Sequence, residues 1–398
     1  MHFEWARDSF DGFGPNPYAP GGRSGKAFRV DGASGATLKA GVRRSCENRP
    51  GVYGMLDHNG RLIYVGKSIK LRTRLLSYFR RKVAREKPGQ IVRESRSIIW
   101  ETGPSEFASL LRELYLIRTW RPRWNVQDRP RNVPPSYLCV GRAPAPYLYV
   151  AQGPPDSADA TYGPFSSRGR LSLAAEALNE YFHLRDCTQR QRMTFRDDRD
   201  LFDPPESLRP GCLRFDLQTC SGPCVAGCSR REYAAQVRKA KRFLDGEVEG
   251  PLAMLEQAMD RASQEQRYEA AVRLRDRIDA VGWLIDRLAY LREARRRYHF
   301  VYPITSGSGR VLWYLIDRGS VAGTVPAPRR GRPSKSAEAA LRSWFEDGTA
   351  PETKDATAHP TITILGRWFR KHPQELKRAI DLESAFSLAV GETMEAVA

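Results

Sequence analysis

The sequence predicts an α+β chain of several domains: a three-stranded antiparallel sheet with flanking helices, a cysteine-rich module, an α-helical hairpin and a small α+β tail. Three observations predict it. The stretch PGVYGMLDHNGRLIYVGKS, residues 50–68, sets two strand-like runs about Asn59-Gly60, the strongest short-range hairpin signal. Five of the seven cysteines fall between Cys187 and Cys228. Two apolar stripes at helical spacing (Leu252, Leu255, Met259, Ala262, then Ala271, Leu274, Ile278, Val281) flank the polar stretch 263–267, short enough for an antiparallel pair. A chain of 398 residues has room for two or three such domains.

The elements follow in order. Residues 1–45, rich in Gly, Pro, Ser and Arg without periodicity, read as a flexible basic leader. In the hairpin of the next region, 46–130, a two-residue turn pairs His58 with Arg61, Met55 with Tyr64 and Tyr53 with Gly66. Alternation then puts Tyr53, Met55, Tyr64 and Gly66 on one face, with the two tyrosines diagonal neighbours. Gly66 opposite Tyr53 leaves a floor that a phosphate could approach. Ser68 is expected to cap a helix over 69–83, with Lys70, Arg74 and Tyr78 on a polar stripe and Leu71, Leu75 and Phe79 inward. Ser105 caps a second helix with Phe107, Leu110, Leu111, Leu114 and Ile117 inward; Glu113 lies at the edge of that face, where position alone favours a partner for a nearby Arg.

Residues 131–186 read as a mixed linker region with a strand-like run at 147–150 and a helix around 171–182. The cysteine module spans 187–230, and a helical region, 231–297, contains the hairpin, 248–290. Linking strands at 300–304 and 311–316 fall within 298–325. The tail, 326–398, has one expected strand, 361–365, and helices, with no assigned role.

Charge narrows the function. The formal net charge is +19, and between Arg61 and Arg96 twelve basic residues stand against two acidic ones. One-signed runs of this kind point to phosphate binding, and Lys70, Arg72, Arg80, Arg81 and Lys82 are the candidate DNA contacts. No apolar run reaches the roughly 18 residues of a membrane span and no secretory leader is evident, so a cytoplasmic protein with no membrane partner is expected. Clustered thiols in such a chain point to metal ligation: Cys187, Cys212, Cys220 and Cys224, with Cys228 as a possible substitute, suit zinc or an iron–sulfur cluster.

Gly51-Val52-Tyr53 and Tyr64-Val65-Gly66, followed by Lys67, Arg74, Tyr78, Glu113 and Asn125, resemble the GIY-YIG nuclease domain. Tyr64-Val-Gly-Lys67 and Pro122-Arg-Trp-Asn125 are more specifically similar to the N-terminal nuclease of the UvrC family, the excinucleases of bacterial nucleotide excision repair. The resemblance implies a metal-dependent endodeoxyribonuclease acting on damaged double-stranded DNA. Tyr53 would be the general base, its phenol lowered by Lys67, and Glu113 would hold one Mg²⁺ or Mn²⁺. Arg74 would grip phosphate, Tyr64 and Tyr78 would position water, and Asn125 would order the site. It also implies a four-iron–four-sulfur cluster on the four cysteines, with zinc as the alternative.

Tyr268 to Asp276 resembles the UVR motif that UvrC shares with UvrB. The resemblance implies that Tyr268, Glu269, Ala271, Leu274, Arg275 and Asp276 meet a matching hairpin of UvrB. Full-length members continue into an RNase H-like half and helix-hairpin-helix motifs. The 98 residues after Phe300 are too few for both, so a short form without the 5′ incision is expected. A catalytically silent adaptor that binds DNA and UvrB and modulates a full-length UvrC is the alternative, against which the intact set of seven site residues argues.

Overall fold

The computed structural model describes residues 10–22, 25–80, 84–126, 135–187, 190–198, 212–247, 250–329, 332–343 and 361–392. The chain forms two compact units, residues 1–133 with 294–398, and residues 134–293.

In the first unit, β1 (Ala27–Asp31) and α1 (Gly35–Ser45) precede the hairpin of β2 (Gly51–Leu56) and β3 (Leu62–Ser68). Then come α2 (Leu71–Ser77), α3 (Lys87–Glu94), β4 (Ser97–Thr102), α4 (Glu106–Trp120) and α5 (Arg123–Val126). The sheet is antiparallel with order β1-β4-β2-β3, so β3 is an edge strand. Alternation sends Tyr53, Met55, Ile98 and Trp100 to one face, against Leu38 and Val42 of α1, Leu71 and Leu75 of α2 and Ile91 of α3. Val52, Val65 and Ile99 point the other way, against Leu116 of α4 and the rings of Phe10 and Phe13.

Two expectations are corrected here. Residues 27–45 are not a flexible leader but supply a strand and a helix, and the sheet has four strands rather than three. Leu38 and Val42 are fully buried, and Gly41 lets α1 lie on β1, since a Cβ there would come within 2.3 Å of Val30 Cγ1. Phe28, Val30, Leu38 and Val42 in a glycine- and arginine-rich stretch were too sparse a signal.

The hairpin turn also differs. Asp57 rather than His58 closes it, its N–H donating to Arg61 O at 3.0 Å while its carboxylate accepts from Asn59 N (2.9 Å) and Arg61 N (3.0 Å). The loop is thus three residues long, with Gly60 at φ 72°. The register shifts once between the Leu56–Leu62 and Met55–Tyr64 pairs, leaving Ile63 as an extra residue. The bulge cancels the turn's offset, and Tyr53 still faces Gly66. The expected helix over 69–83 is shorter: Ser68 Oγ accepts from Lys70 N (3.0 Å) in a tight turn, and α2 begins at Leu71.

The second unit opens with β5 (Ser136–Val140), β6 (Leu148–Gln152) and β7 (Ala160–Phe165), a sheet of order β6-β5-β7, followed by α6 (Arg168–Tyr181). The stretch expected to be a linker is therefore a folded layer, in which Asn179 of α6 bonds both backbone groups of Leu148 at 2.9 and 2.8 Å. After α7 (Leu213–Asp216) in the cysteine segment come α8 (Arg230–Leu244), α9 (Pro251–Gln264) and α10 (Tyr268–Arg297). Leu255, Ala262 and Val281 of the expected stripes are buried, while Met254, Tyr268 and Val272 stay exposed.

Back in the first unit, β8 (Phe300–Thr305), β9 (Val311–Asp317) and β10 (Ser320–Pro326) form a sheet of order β10-β9-β8. Helices α11 (Lys335–Leu341), α12 (Ile362–Lys371), α13 (Pro373–Leu376) and α14 (Leu382–Val390) follow. The strand expected at 361–365 is instead the start of α12. Its buried positions, Ile362, Leu365, Gly366 and Phe369, fall at helical spacing, which the alternating Thr-Ile-Thr-Ile had masked. The last sheet and the tail pack on α4: Phe107 meets Tyr302 of β8, Tyr314 of β9 and Trp368 of α12 at ring-centroid distances of 5.1, 5.3 and 5.3 Å. Among the described residues no helix is long and apolar enough to cross a membrane.

Candidate active site

Three tyrosines converge on one face of the sheet. The rings of Tyr53, Tyr64 and Tyr78 form a triangle with centroid separations of 6.0–6.2 Å. The hydroxyls of Tyr53 and Tyr78 share a 2.8 Å hydrogen bond, and Arg74 Nε donates to Tyr53 Oη at 3.3 Å. The Arg74 guanidinium also lies over the Tyr78 ring at 5.1 Å. Tyr78 was expected on a polar stripe; it sits just past the end of α2, turned inward and 3% exposed.

Gly66 is not an open floor. A Cβ there would come within 2.5 Å of Tyr53 Oη and 2.6 Å of its Cζ, so the glycine admits the Tyr53 ring rather than a phosphate. Burial pushes the Tyr53 phenol above its ordinary range, with Tyr64 adding to this, while the bond to Tyr78 and the charge of Arg74 oppose it. Tyr78 is pushed up by burial and then by Tyr53 and Tyr64.

The remaining residues gather along the free edge of β3. Asn125 of α5 mimics a neighbouring strand: its Oδ1 accepts from Val65 N and its Nδ2 donates to Val65 O, both at 2.8 Å. Two residues on, Glu113 Oε1 accepts from Lys67 N at 3.0 Å. An edge strand has unpaired backbone groups on one side, and these two side chains use them. The site therefore wraps around an edge, with the tyrosines on one face of β3 and the α4 carboxylate reaching it from the other.

This arrangement corrects the reading of Lys67. Alternation turns its side chain away from Tyr53, and its ammonium pairs with Glu106 Oε1 at 3.0 Å. Arg74, not Lys67, is the cation at the Tyr53 hydroxyl. Glu106 escaped the sequence reading, although it lies seven residues before Glu113, two turns back on the same helix face. Arg112, the residue before Glu113, points into the core. Arg112 bonds Glu101 at 2.7 Å and the carbonyls of Phe13, Gly14 and Pro15 at 3.1, 2.8 and 2.6 Å. This buried knot fixes the rotation of α4, and with it Glu113.

Glu113 fits a single hard cation. It is a half-buried oxygen donor fixed by a backbone amide, and Mg²⁺ takes one or two carboxylates while keeping several waters. Of the basic candidates, Lys70, Arg72 and Arg80 are exposed; Arg81 and Lys82 lie outside the described residues.

Four of the cysteines lie near one another, since Cys220 and Cys224 both feel the charges of Cys187 and Cys212. Cys187, Cys212, Cys220, Cys224 and Cys228 are all described. Among the described residues, however, no group of three or more His, Cys, Asp or Glu side chains is placed to hold a metal ion. Burial pushes the thiols of Cys220 and Cys228 up to about 11 and about 12. An iron–sulfur or zinc site on these thiols is an expectation of the sequence alone.

Three family models match the chain in succession. They are a UvrC-like GIY-YIG domain over residues 49–126, a UvrC/Cho excinuclease middle domain over 136–243, and a UvrB/uvrC motif over 251–282. Across these residues the chain is similar, domain by domain, to UvrC proteins. The UvrABC system protein C of Desulfatibacillum aliphaticivorans is 35% identical over 243 residues, 61% of this chain and 38% of that protein. That of Nitrosomonas europaea is 35% identical over 233 residues, 58% of this chain and 36% of that protein. The match thus spans little more than a third of these UvrC relatives. A crystal structure of the GIY-YIG N-terminal endonuclease domain of UvrC from Thermotoga maritima, bound to magnesium, aligns at 30% identity. It covers 21% of this chain and 96% of that one, with a TM-score of 0.20.

The UVR match contains Tyr268, Glu269, Ala271, Leu274, Arg275 and Asp276. Ala271 and Leu274 are half-buried and the other four exposed, and Arg275 bonds its neighbour Asp276 at 2.9 Å.

Proposed function

We propose that this UvrC-like chain is a metal-dependent DNA endonuclease of nucleotide excision repair. It hydrolyses one phosphodiester on the 3′ side of a lesion after recruitment by UvrB through the α9–α10 hairpin. The observation that carries the reading is the wrapped edge of β3. Glu113 is hung from the Lys67 amide on one side, and the Tyr53–Tyr78–Arg74 group sits on the other.

Each residue has a task there. Glu113 would hold Mg²⁺, or Mn²⁺ in its place, and the ion when bound supplies charge for the developing phosphorane and the departing 3′ oxygen. Tyr53 Oη accepts the proton of the attacking water. Arg74 favours the phenolate that does so and offers its remaining N–H groups to phosphate oxygens. Tyr64 and Tyr78 hold the Tyr53 ring and its hydroxyl in place. Lys67, steered by Glu106, supplies positive charge at the strand edge, and Asn125 keeps that edge straight. The exposed Lys70, Arg72 and Arg80 contact the DNA backbone. Tyr268 and Val272 give the hairpin an apolar end for a matching hairpin of UvrB, with Glu269, Arg275 and Asp276 at its charged rim and Ala271 and Leu274 behind it.

The test is incision of a lesion-bearing duplex preloaded with UvrB, with and without Mg²⁺. Wild type is compared with Glu113→Ala and with a chain lacking residues 248–290. A single 3′ cut that needs Mg²⁺, Glu113 and the hairpin is expected. No cut by wild type would leave the silent adaptor, and equal cutting without the hairpin would refute the recruitment.

A further inference from the structure

The net charge is partitioned between the two units. Residues 134–293 carry 23 Lys and Arg against 23 Asp and Glu, so the entire +19 resides in 1–133 and 294–398, where 42 basic residues face 23 acidic ones. Part of that excess belongs to the tail, which no family match covers. Between Thr361 and Ile380 there are five basic residues, Arg367, Arg370, Lys371, Lys377 and Arg378, and one acidic residue, Glu375. Helix α12 is sharply two-faced. Ile362, Leu365, Trp368 and Phe369 are buried, whereas Arg367, Arg370 and Lys371 are exposed and pair with no described carboxylate. Glu375 is engaged with Tyr302 Oη at 2.7 Å and with Arg378 at 3.1 Å, so it does not neutralise them.

The buried face decides where this charge sits. Trp368 packs on Phe107 at 5.3 Å, and Phe369 packs on Tyr302, which itself touches Phe107. Phe107 is the residue next to Glu106, whose carboxylate holds Lys67 at the edge of β3. The cationic face of α12 is thereby bolted to the helix that carries Glu113.

We propose that the exposed face of α12, with Arg367, Arg370 and Lys371, is a second DNA-backbone contact. It extends the phosphate-binding surface of the nuclease sheet through the tail. This rests on the reading of the chain as a DNA-acting protein, but not on cleavage. Lys and Arg that neutralise phosphates release counterions, so each contact adds about 0.9 to the slope of log affinity against log salt. The contact carries no base information and acts equally on any duplex.

The experiment is fluorescence anisotropy of a labelled duplex with the full chain from about 50 to 300 mM salt. Wild type is compared with the triple variant Arg367→Gln, Arg370→Gln, Lys371→Gln. The expected result is a slope shallower by roughly 2 to 3 and an affinity lower by about tenfold or more near physiological salt, the same for unrelated sequences. An unchanged slope would overturn the proposal. The charge-conserving pair Arg367→Lys, Arg370→Lys must bind like wild type. If it loses affinity as the triple variant does, the effect comes from a disturbed fold and the proposal fails. Glu113→Ala, expected to abolish incision, should leave the slope intact, which separates failure of this contact from failure of the nuclease reading.

Discussion

Replacing Gly66 by alanine tests the packing on which the site depends. The new Cβ would meet Tyr53 Oη at 2.5 Å and Cζ at 2.6 Å, closer than a methyl group tolerates. Tyr53 cannot step aside: it is 1% exposed and wedged between Tyr64 and Tyr78. Overpacking of this kind costs about 1–3 kcal/mol, and displacing the hydroxyl from Tyr78 and Arg74 removes roughly another 1 kcal/mol of hydrogen bonding. The sum, about 2–4 kcal/mol, is a loss of roughly 1.5 to 3 orders of magnitude in local protection. Hydrogen exchange read by mass spectrometry on peptides within 51–68 measures it directly, without requiring the whole chain to unfold in one step. Adding Tyr53→Phe should restore only part of the loss, because the contact with Cζ remains. Wild-type protection in Gly66→Ala, or strict additivity of the two changes, would refute a tyrosine-filled site.

Other consequences can be checked in the same protein. Glu106→Gln should free Lys67 while leaving Glu113 on its amide; raised KM with little change in kcat for incision is expected, and an unaltered KM would remove Glu106 from the site. Because burial raises the Tyr53 phenol above its usual range, it is protonated at neutral pH. If it is the base, the incision rate should climb about tenfold per pH unit through pH 9, a rise lost in Tyr53→Phe. The same shift has a stability sign. The unfolded phenol ionises near 10 and the folded one later, so stability is intact below about pH 10 and falls above it. Absorbance at 295 nm should show Tyr53 and Tyr78 titrating only with alkaline unfolding. Phe107→Ala should destabilise the first unit by about 3–5 kcal/mol, read as a lower Tm, since the rings around it lose their common partner. Asn125→Ala should fray β3, seen as faster exchange at the Val65 amide, while the Val52 amide in β2 changes little.

Much of the site was legible in the sequence because its signals are local. Asn59-Gly60 and the alternation around it paired Tyr53 with Gly66 and Met55 with Tyr64. Ser105 announced α4, where its hydroxyl accepts from Ala108 N at 3.1 Å. Even the misread turn did no harm, since the bulge at Ile63 restored the register. The motifs named the UvrC family, and the apolar stripes of the hairpin placed α9 and α10.

Tertiary structure decided the rest, because it depends on which groups meet across long separations. No spacing rule says that Glu113 will hang from the Lys67 amide, 46 residues away, or that Asn125 will clamp Val65 across 60. The edge position of β3 creates both openings, and it follows from the order in which four strands pair. Burial of the Tyr53 ring turned Gly66 from a phosphate floor into a berth for it, while the face of β3 and the pull of Glu106 moved the cation at Tyr53 from Lys67 to Arg74. The tail's place beside α4 likewise rests on one aromatic, Phe107, whose partners begin almost two hundred residues further along the chain. The sequence by itself determined which chemical groups the site would have. Only the packed sheet determined which of them touch, because side-chain contact is set by strand order and face, and neither is a local property of the chain.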